Sequence, residues 1–226
     1  MRLGAAPAAG PACEARCVQR PLGIVHVALR PAPLAEAAAR AKELGFDHID
    51  IAVDSLGHGE VALPIGEVCS PREPRAGCTW LAPYQRDATS FEFTVRRLRE
   101  QPGTRLEVGP GSVAGSVASC RALVEAVPGL RLTIDTGHVA AWGEDPVELL
   151  DLAGHVQLRQ AAPGLPQLHV DDARGVVDFG RVLGRLDELD FDGLISVEYF
   201  DLPELGWPLD DPVGYCVDLA HYVRAL

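Results

Sequence analysis

Apolar and polar positions along this chain switch period again and again. Gly23–Ala28 (GIVHVA) reads as a short strand. The PLAEAAARAKELG that follows puts Leu34, Ala38, Ala41 and Leu44 on one helical face, with Gly45 as the stop signal. Phe46–Val53 (FDHIDIAV) predicts a second strand and completes a β-α-β unit. From Asp54 to Gly77 the pattern lapses: Pro64, Pro71 and Pro74 punctuate it and no helical stripe forms. TWLAP (79–83) predicts a strand and Asp87–Glu100 a helix. Regular alternation then holds to the end. Strands are expected at TRLEVGP (104–110), LRLTID (130–135), HVQLRQ (155–160) and GLISVEYF (193–200), and a helix over Val117–Val127. EDPVELLDLA carries Asp145 as N-cap, Pro146 at the first helical position and Glu148 to complete a capping box. Phe179, Val182, Leu183, Leu186 and Leu189 form an amphipathic stripe, and Asp211-Pro212 opens a last helix.

Strands alternating with helices predict a parallel sheet flanked by helices. There is no glycine fingerprint for a dinucleotide, and about seven β/α units are visible. A (β/α) barrel of the TIM type therefore fits better than an open doubly wound sheet, with closure left open by the irregular segment 54–77. Residues 1–20, rich in Ala, Pro and Gly, read as a flexible tail ahead of one barrel domain over 21–226.

Composition narrows the function. A formal net charge of −12 and a pI near 4.9 disfavour a nucleic-acid partner, because phosphate contacts need a basic face. No run is long and apolar enough for a membrane span, and the N-terminus lacks the apolar core of a secretory leader. Cys13, Cys17, Cys69, Cys78, Cys120 and Cys216 show neither zinc-knuckle nor redox spacing, so reduced thiols in a cytoplasmic protein are expected.

In a barrel, the carboxyl ends of the strands share one mouth. Four strands bring a metal-capable side chain there, each one β/α repeat after the last: Glu107, Asp135, Gln157 and Glu198. Taken singly, Asp135 reads equally as a helix cap and Gln157 as a satisfied amide. Together, three acids and an amide buried at one mouth are costly without a positive charge among them. Oxygen ligands of this kind suit a divalent cation, Mg²⁺ or Mn²⁺. His138, three residues after Asp135, and Arg159, two after Gln157, are candidates for supporting or substrate-binding roles. So are Trp80 and His169, while Gln167, Trp142, Trp207 and His58 could line a pocket.

The runs D-T-G-H, G-H-V-Q-L-R-Q and F-D-G-L-I-S-V-E-Y resemble the xylose-isomerase-like TIM-barrel superfamily, well over Arg105–Phe200 and poorly over Asp54–Gly77. That superfamily includes sugar isomerases and epimerases, hydroxypyruvate isomerases and apurinic endonucleases. The resemblance implies metal ligands at Glu107, Asp135, Gln157 and Glu198, with Glu107 and Glu198 also the catalytic acid/base pair. Gln rather than His at position 157 is similar to the hydroxypyruvate isomerase branch. The implied reaction is proton transfer beside the carbonyl of a small sugar or α-hydroxy carbonyl substrate. An apurinic endonuclease would need further metal-binding histidines that the early strands do not offer. A barrel that keeps the metal site without turnover is the other alternative, and self-association stays open.

Overall fold

The computed structural model describes residues 20–57, 60–87, 89–203 and 206–226. The expected tail, apart from Arg20, lies outside the described residues, as do Cys13, Cys17 and His58. Arg20 is anchored, its guanidinium bound to Asp187 at 2.8 Å and to the Phe191 carbonyl.

The strands in chain order are β1 (Leu22–Val25), β2 (His48–Ala52), β3 (Ile65–Ser70), β4 (Thr79–Leu81), β5 (Arg105–Glu107), β6 (Arg131–Asp135), β7 (Ala153–Leu158), β8 (Gln160–Ala162), β9 (Leu165–Leu168) and β10 (Leu194–Val197). The helices are α1 (Leu34–Glu43), α2 (Thr89–Glu100), α3 (Val117–Ala126), α4 (Thr136–Trp142), α5 (Phe179–Glu188) and α6 (Pro212–Arg224). Eight parallel strands close into a barrel in the order β1-β10-β7-β6-β5-β4-β3-β2, while β8 and β9 form a separate antiparallel hairpin. No helix among the described residues is long and apolar enough to cross a membrane.

The count of about seven units is corrected to eight barrel strands. The missing one is β3, IGEVCS, inside the segment that shows no pattern. Its Glu67 is an acid turned into the barrel, where Thr79 Oγ1 and Arg105 donate to it at 2.9 and 2.8 Å, so the polar-in face cancels the usual apolar signal. Among the described residues no α-helix separates β2, β3 and β4. A 3₁₀ turn at Val53–Ser55 and an eight-residue loop, 71–78, make those crossovers instead. Pro146–Leu152 is a 3₁₀ rather than an α-helix, although Asp145 caps it through the Val147 N–H as expected.

Alternation along each strand sorts the side chains. Leu106, Leu132, Ile134, Val156, Leu158, Ile195 and Val197 are buried in the layer between sheet and helices. Ala38, Ala41, Leu98, Leu123, Val182, Leu186 and Leu219 pack onto them from the helices. The opposite residues point inward and are polar: His48, Asp50, Glu67, Thr79, Thr133, His155 and Ser196 lie below the mouth. Close approach matters here. A Cβ at Gly23 or Gly66 would come within 2.2 Å of the His48 ring, so only glycine admits that imidazole to the barrel interior.

Candidate metal centre

Glu107 and Asp135 end β5 and β6, Gln157 lies near the end of β7, and Glu198 directly follows β10. Register sets the neighbours: Asp135 pairs with Gln157, Gln157 with Ser196, and Glu107 with Thr133. The four side chains are buried. Glu198 lies against Asp135 and feels Glu107, and Glu107 feels Asp135, so the three acids share one space at the mouth.

Asp135 does two jobs. Its Oδ1 accepts from the Gly137 and His138 N–H groups at 2.7 and 3.1 Å, capping α4. Its Oδ2 faces inward, bound by Arg159 and 3.5 Å from His138 Nδ1. The cap and the site are therefore one residue, and the two readings of Asp135 are both realised.

His138 is oriented by the Val108 carbonyl, 2.7 Å from Nδ1. A carbonyl only accepts, so Nδ1 carries the proton and Nε2 keeps its lone pair. Burial pulls the imidazole pKa down, helped by Arg159, and Asp135 does not reverse this. The ring is thus neutral, and its Nε2 is buried without a hydrogen-bond partner among the described residues. Ligating atoms of Glu107, Asp135 and His138 all lie within 4.8 Å of one another.

The acids respond to this setting. Burial, then the Asp135 charge, push the Glu107 carboxyl up to about 8, and Arg159 offsets only part of the shift. Glu198 is driven well above the usual carboxylate range by burial and by Glu107. Gln157 Oε1 and Glu198 Oε2 are buried with no hydrogen-bond partner among the described residues. Buried oxygens left unpaired in this way carry a desolvation cost that a cation among them would remove.

Arg159 occupies the inner face two residues after Gln157, where the alternation puts it, and is fully buried. It enters because position 137 is glycine: a Cβ there would stand 2.6 Å from Arg159 Nε. Its guanidinium carbon lies 4.8 Å over the Phe200 ring and 5.6 Å over Trp207. Phe200 and Trp207 stack on each other, and His138 tilts against Trp207 at 5.6 Å between ring centres. Phe200 is a contact that the sequence pattern does not reveal, since it reads only as the last residue of a strand.

Other candidates are placed elsewhere. Trp80 pairs in register with Leu106, on the outer face of β4, and packs in the sheet–helix core; strand alternation turns it away from Glu107. His169 is engaged by Asp218 at 3.0 Å and stands edge-on to Tyr215, both on α6. Gln167 clamps the Phe200 backbone, donating to its carbonyl and accepting from its N–H. Two surface grooves of about 430 and 460 Å³ lie away from the carboxylates, one between α2 and α3 and one beside α1.

Comparison with known proteins gives a consistent picture of the fold. Residues 101–211 match the family described as Xylose isomerase-like TIM barrel. No curated protein matches the sequence. Among solved structures, the 3-keto-D-glucoside 4-epimerase YcjR from E. coli is 15% identical at a TM-score of 0.68, covering 92% of this chain and 100% of that one. An L-ribulose 3-epimerase is 12% identical at 0.70, covering 91% and 94%. An IolI protein with a bound zinc atom is 16% identical at 0.63, covering 90% and 98%. At such identities the likeness is one of fold. The match over residues 101–211, the closed eight-stranded barrel and the D-T-G-H and V-E-Y strand ends agree in making this chain similar to the xylose isomerase-like TIM barrels.

Proposed function

We propose that this chain is a sugar isomerase or epimerase, acting with a divalent cation on a small sugar or α-hydroxy carbonyl compound. The observation that carries the reading is the pair Glu107 and Glu198. They are two buried carboxyls with raised proton affinity, set around Asp135 and Gln157 at the carboxyl ends of barrel strands. That two of the similar structures are sugar epimerases supports it.

The residues fit a cation. Glu107, Asp135, Gln157 and Glu198 would hold it, and unpartnered Gln157 Oε1 and Glu198 Oε2 are the oxygens most in need of one. An all-oxygen set favours Mg²⁺ or Mn²⁺, whereas the neutral His138 close by leaves zinc as the competing choice. Once bound, such a cation would stabilise charge developing on the oxygens of an α-hydroxy carbonyl group.

The protein's own groups account for the rest. Burial raises the proton affinity of both carboxyls, which suits Glu107 and Glu198 to take a proton from carbon and return one. Return to the neighbouring carbon isomerises the substrate; return to the other face of the same carbon epimerises it. The aromatic pair Phe200 and Trp207 would shelter the exposed carbanion equivalent from water.

Proton abstraction is testable before the product is known. A panel of α-hydroxy aldehydes, ketones and acids is followed by NMR in D₂O with Mn²⁺ or Mg²⁺. The expected outcome is cation-dependent loss of one carbon-bound proton signal. Tight cation binding with no exchange anywhere on the panel would favour a second reading, a binding barrel without turnover. One observation speaks for that second reading: Arg159 already neutralises Asp135.

A further inference from the structure

We infer that Arg159 and the cation compete for Asp135, and that an anionic group on the substrate settles the contest in the cation's favour. This rests on the reading of Glu107, Asp135, Gln157 and Glu198 as a cation site.

Asp135 has only one free edge. Oδ1 is committed to the two N–H groups that start α4, so it cannot turn away without uncapping the helix. Oδ2 is the oxygen that faces the other acids, and Arg159 holds it. A cation that needs Asp135 must therefore share or displace the guanidinium at Oδ2. Two positive charges drawn to one buried oxygen oppose each other, and in a dry setting that opposition is large.

Arg159 has nowhere neutral to go. Gly137 fits closely against its Nε side, Phe200 and Trp207 lie along its guanidinium, and its side chain has no exposure to water. Its Nε and Nη1 atoms are already buried without partners. Losing Asp135 as well would leave the buried guanidinium without any hydrogen-bond acceptor among the described residues, a state that proteins avoid. The aromatic faces offset only part of this. An anion reaching the guanidinium restores the balance, and a planar carboxylate matches its fork of donors.

The guanidinium's unpaired donors lead to a substrate class. With the cation on Asp135 Oδ2, Arg159 Nη2 joins Nε and Nη1 in having no hydrogen-bond acceptor among the described residues. A carboxylate or similar oxyanion beside the α-hydroxy carbonyl would then be selected over a neutral sugar. Cation and anion would bind with positive coupling, each removing the obstacle to the other.

The test follows free Mn²⁺ by its electron paramagnetic resonance signal during titration of the full chain, with formate as the probe anion at constant ionic strength. Arg159→Met is expected to bind Mn²⁺ about tenfold more tightly than wild type, within the usual range of coupling between sites. Formate is expected to tighten Mn²⁺ binding in wild type and to do nothing in Arg159→Met. Equal or weaker Mn²⁺ binding by the variant, with wild type binding well, would overturn the competition and leave the cation site standing. A wild type indifferent to formate would overturn the anionic substrate class. Failure of both proteins to bind Mn²⁺ would remove the cation site and the inference together. If Arg159→Met does not fold, the ¹⁵N resonance of Arg159 Nε in wild type decides. It should move on adding Mg²⁺, and an unmoved resonance under saturating Mg²⁺ would sink the competition.

Discussion

The floor and the mouth of this barrel are both buried and both acidic, yet burial ends differently in each. On the floor, the cost of burying Asp50 is outweighed by His155, 3.0 Å away, and by His48, so the carboxyl stays below its ordinary pKa. Glu67 is likewise held, by Arg105 and Thr79. At the mouth, the neighbours of Glu107 and Glu198 are other acids, and the single guanidinium is spent on Asp135. The same desolvation therefore meets imidazoles below, which hold Asp50 in its charged form, and other carboxyls above, which raise the proton affinity of Glu107 and Glu198. What separates the layers is the sign of the neighbouring charge, since buried atoms without a hydrogen-bond partner occur in both, Asp50 Oδ2 and His155 Nδ1 below as well as Gln157 Oε1 and Glu198 Oε2 above.

Substitutions in the two layers should consequently separate stability from activity. The largest effect is expected at the mouth: Glu198→Gln should lower turnover by about 10³–10⁴-fold. It removes a buried acid, so its denaturation midpoint should hold or rise. A loss of activity matched by a loss of folding would make Glu198 a floor-type residue and break the contrast. Next, His155→Leu should cost about 3–5 kcal/mol in urea unfolding, because it strips Asp50 of its nearest imidazole inside the barrel. Gly23→Ala should cost less, about 1–3 kcal/mol, by driving a methyl against the His48 ring. Both floor variants should keep the Mn²⁺ affinity of wild type wherever they fold, and a floor variant that stays folded but binds no Mn²⁺ would join the two layers into one site.

The mouth was more legible than the floor, for a physical reason. Glu107, Asp135, Gln157 and Glu198 end strands whose outward residues are plainly apolar, so alternation exposes them as exceptions. Three of the floor residues sit in β2 and β3, where His48, Asp50 and Glu67 alternate with Ile49, Ile51 and Val68. With Pro64 and Pro71 on either side and no helices between, β3 carries no periodic cue, and only the closed barrel shows that an eighth strand is needed. Arg159 was legible by position but not by role. Nothing local says that Gly137 makes room for it, or that Phe200 and Trp207, on a later strand end and loop, lie along it. Trp80 misleads because a strand of three residues gives alternation too little length to announce its face.

The last prediction concerns pH, where each single pH unit moves stability only slightly, and it tests the difference in the two acids directly. Glu107 has an ordinary pKa of 4.5 in the unfolded chain and about 8 in the folded one. Between those values the folded protein keeps a proton that the unfolded chain has released. Unfolding is then favoured as pH rises, and stability should fall by at most about 1.4 kcal/mol per pH unit for each such group. Asp50 works in the opposite sense. Its folded pKa is depressed, so its contribution is present above 3.8 and lost only as pH falls further. Urea unfolding with chelator present, from pH 5 to pH 8, should therefore show a downward slope in wild type and a shallower one in Glu107→Gln. Saturating Mn²⁺ should flatten the wild-type slope, since a bound cation expels the proton from Glu107 at every pH in the window. An unchanged slope in Glu107→Gln would mean that Glu107 is ionised like Asp50, and the mouth would then differ from the floor only in its position.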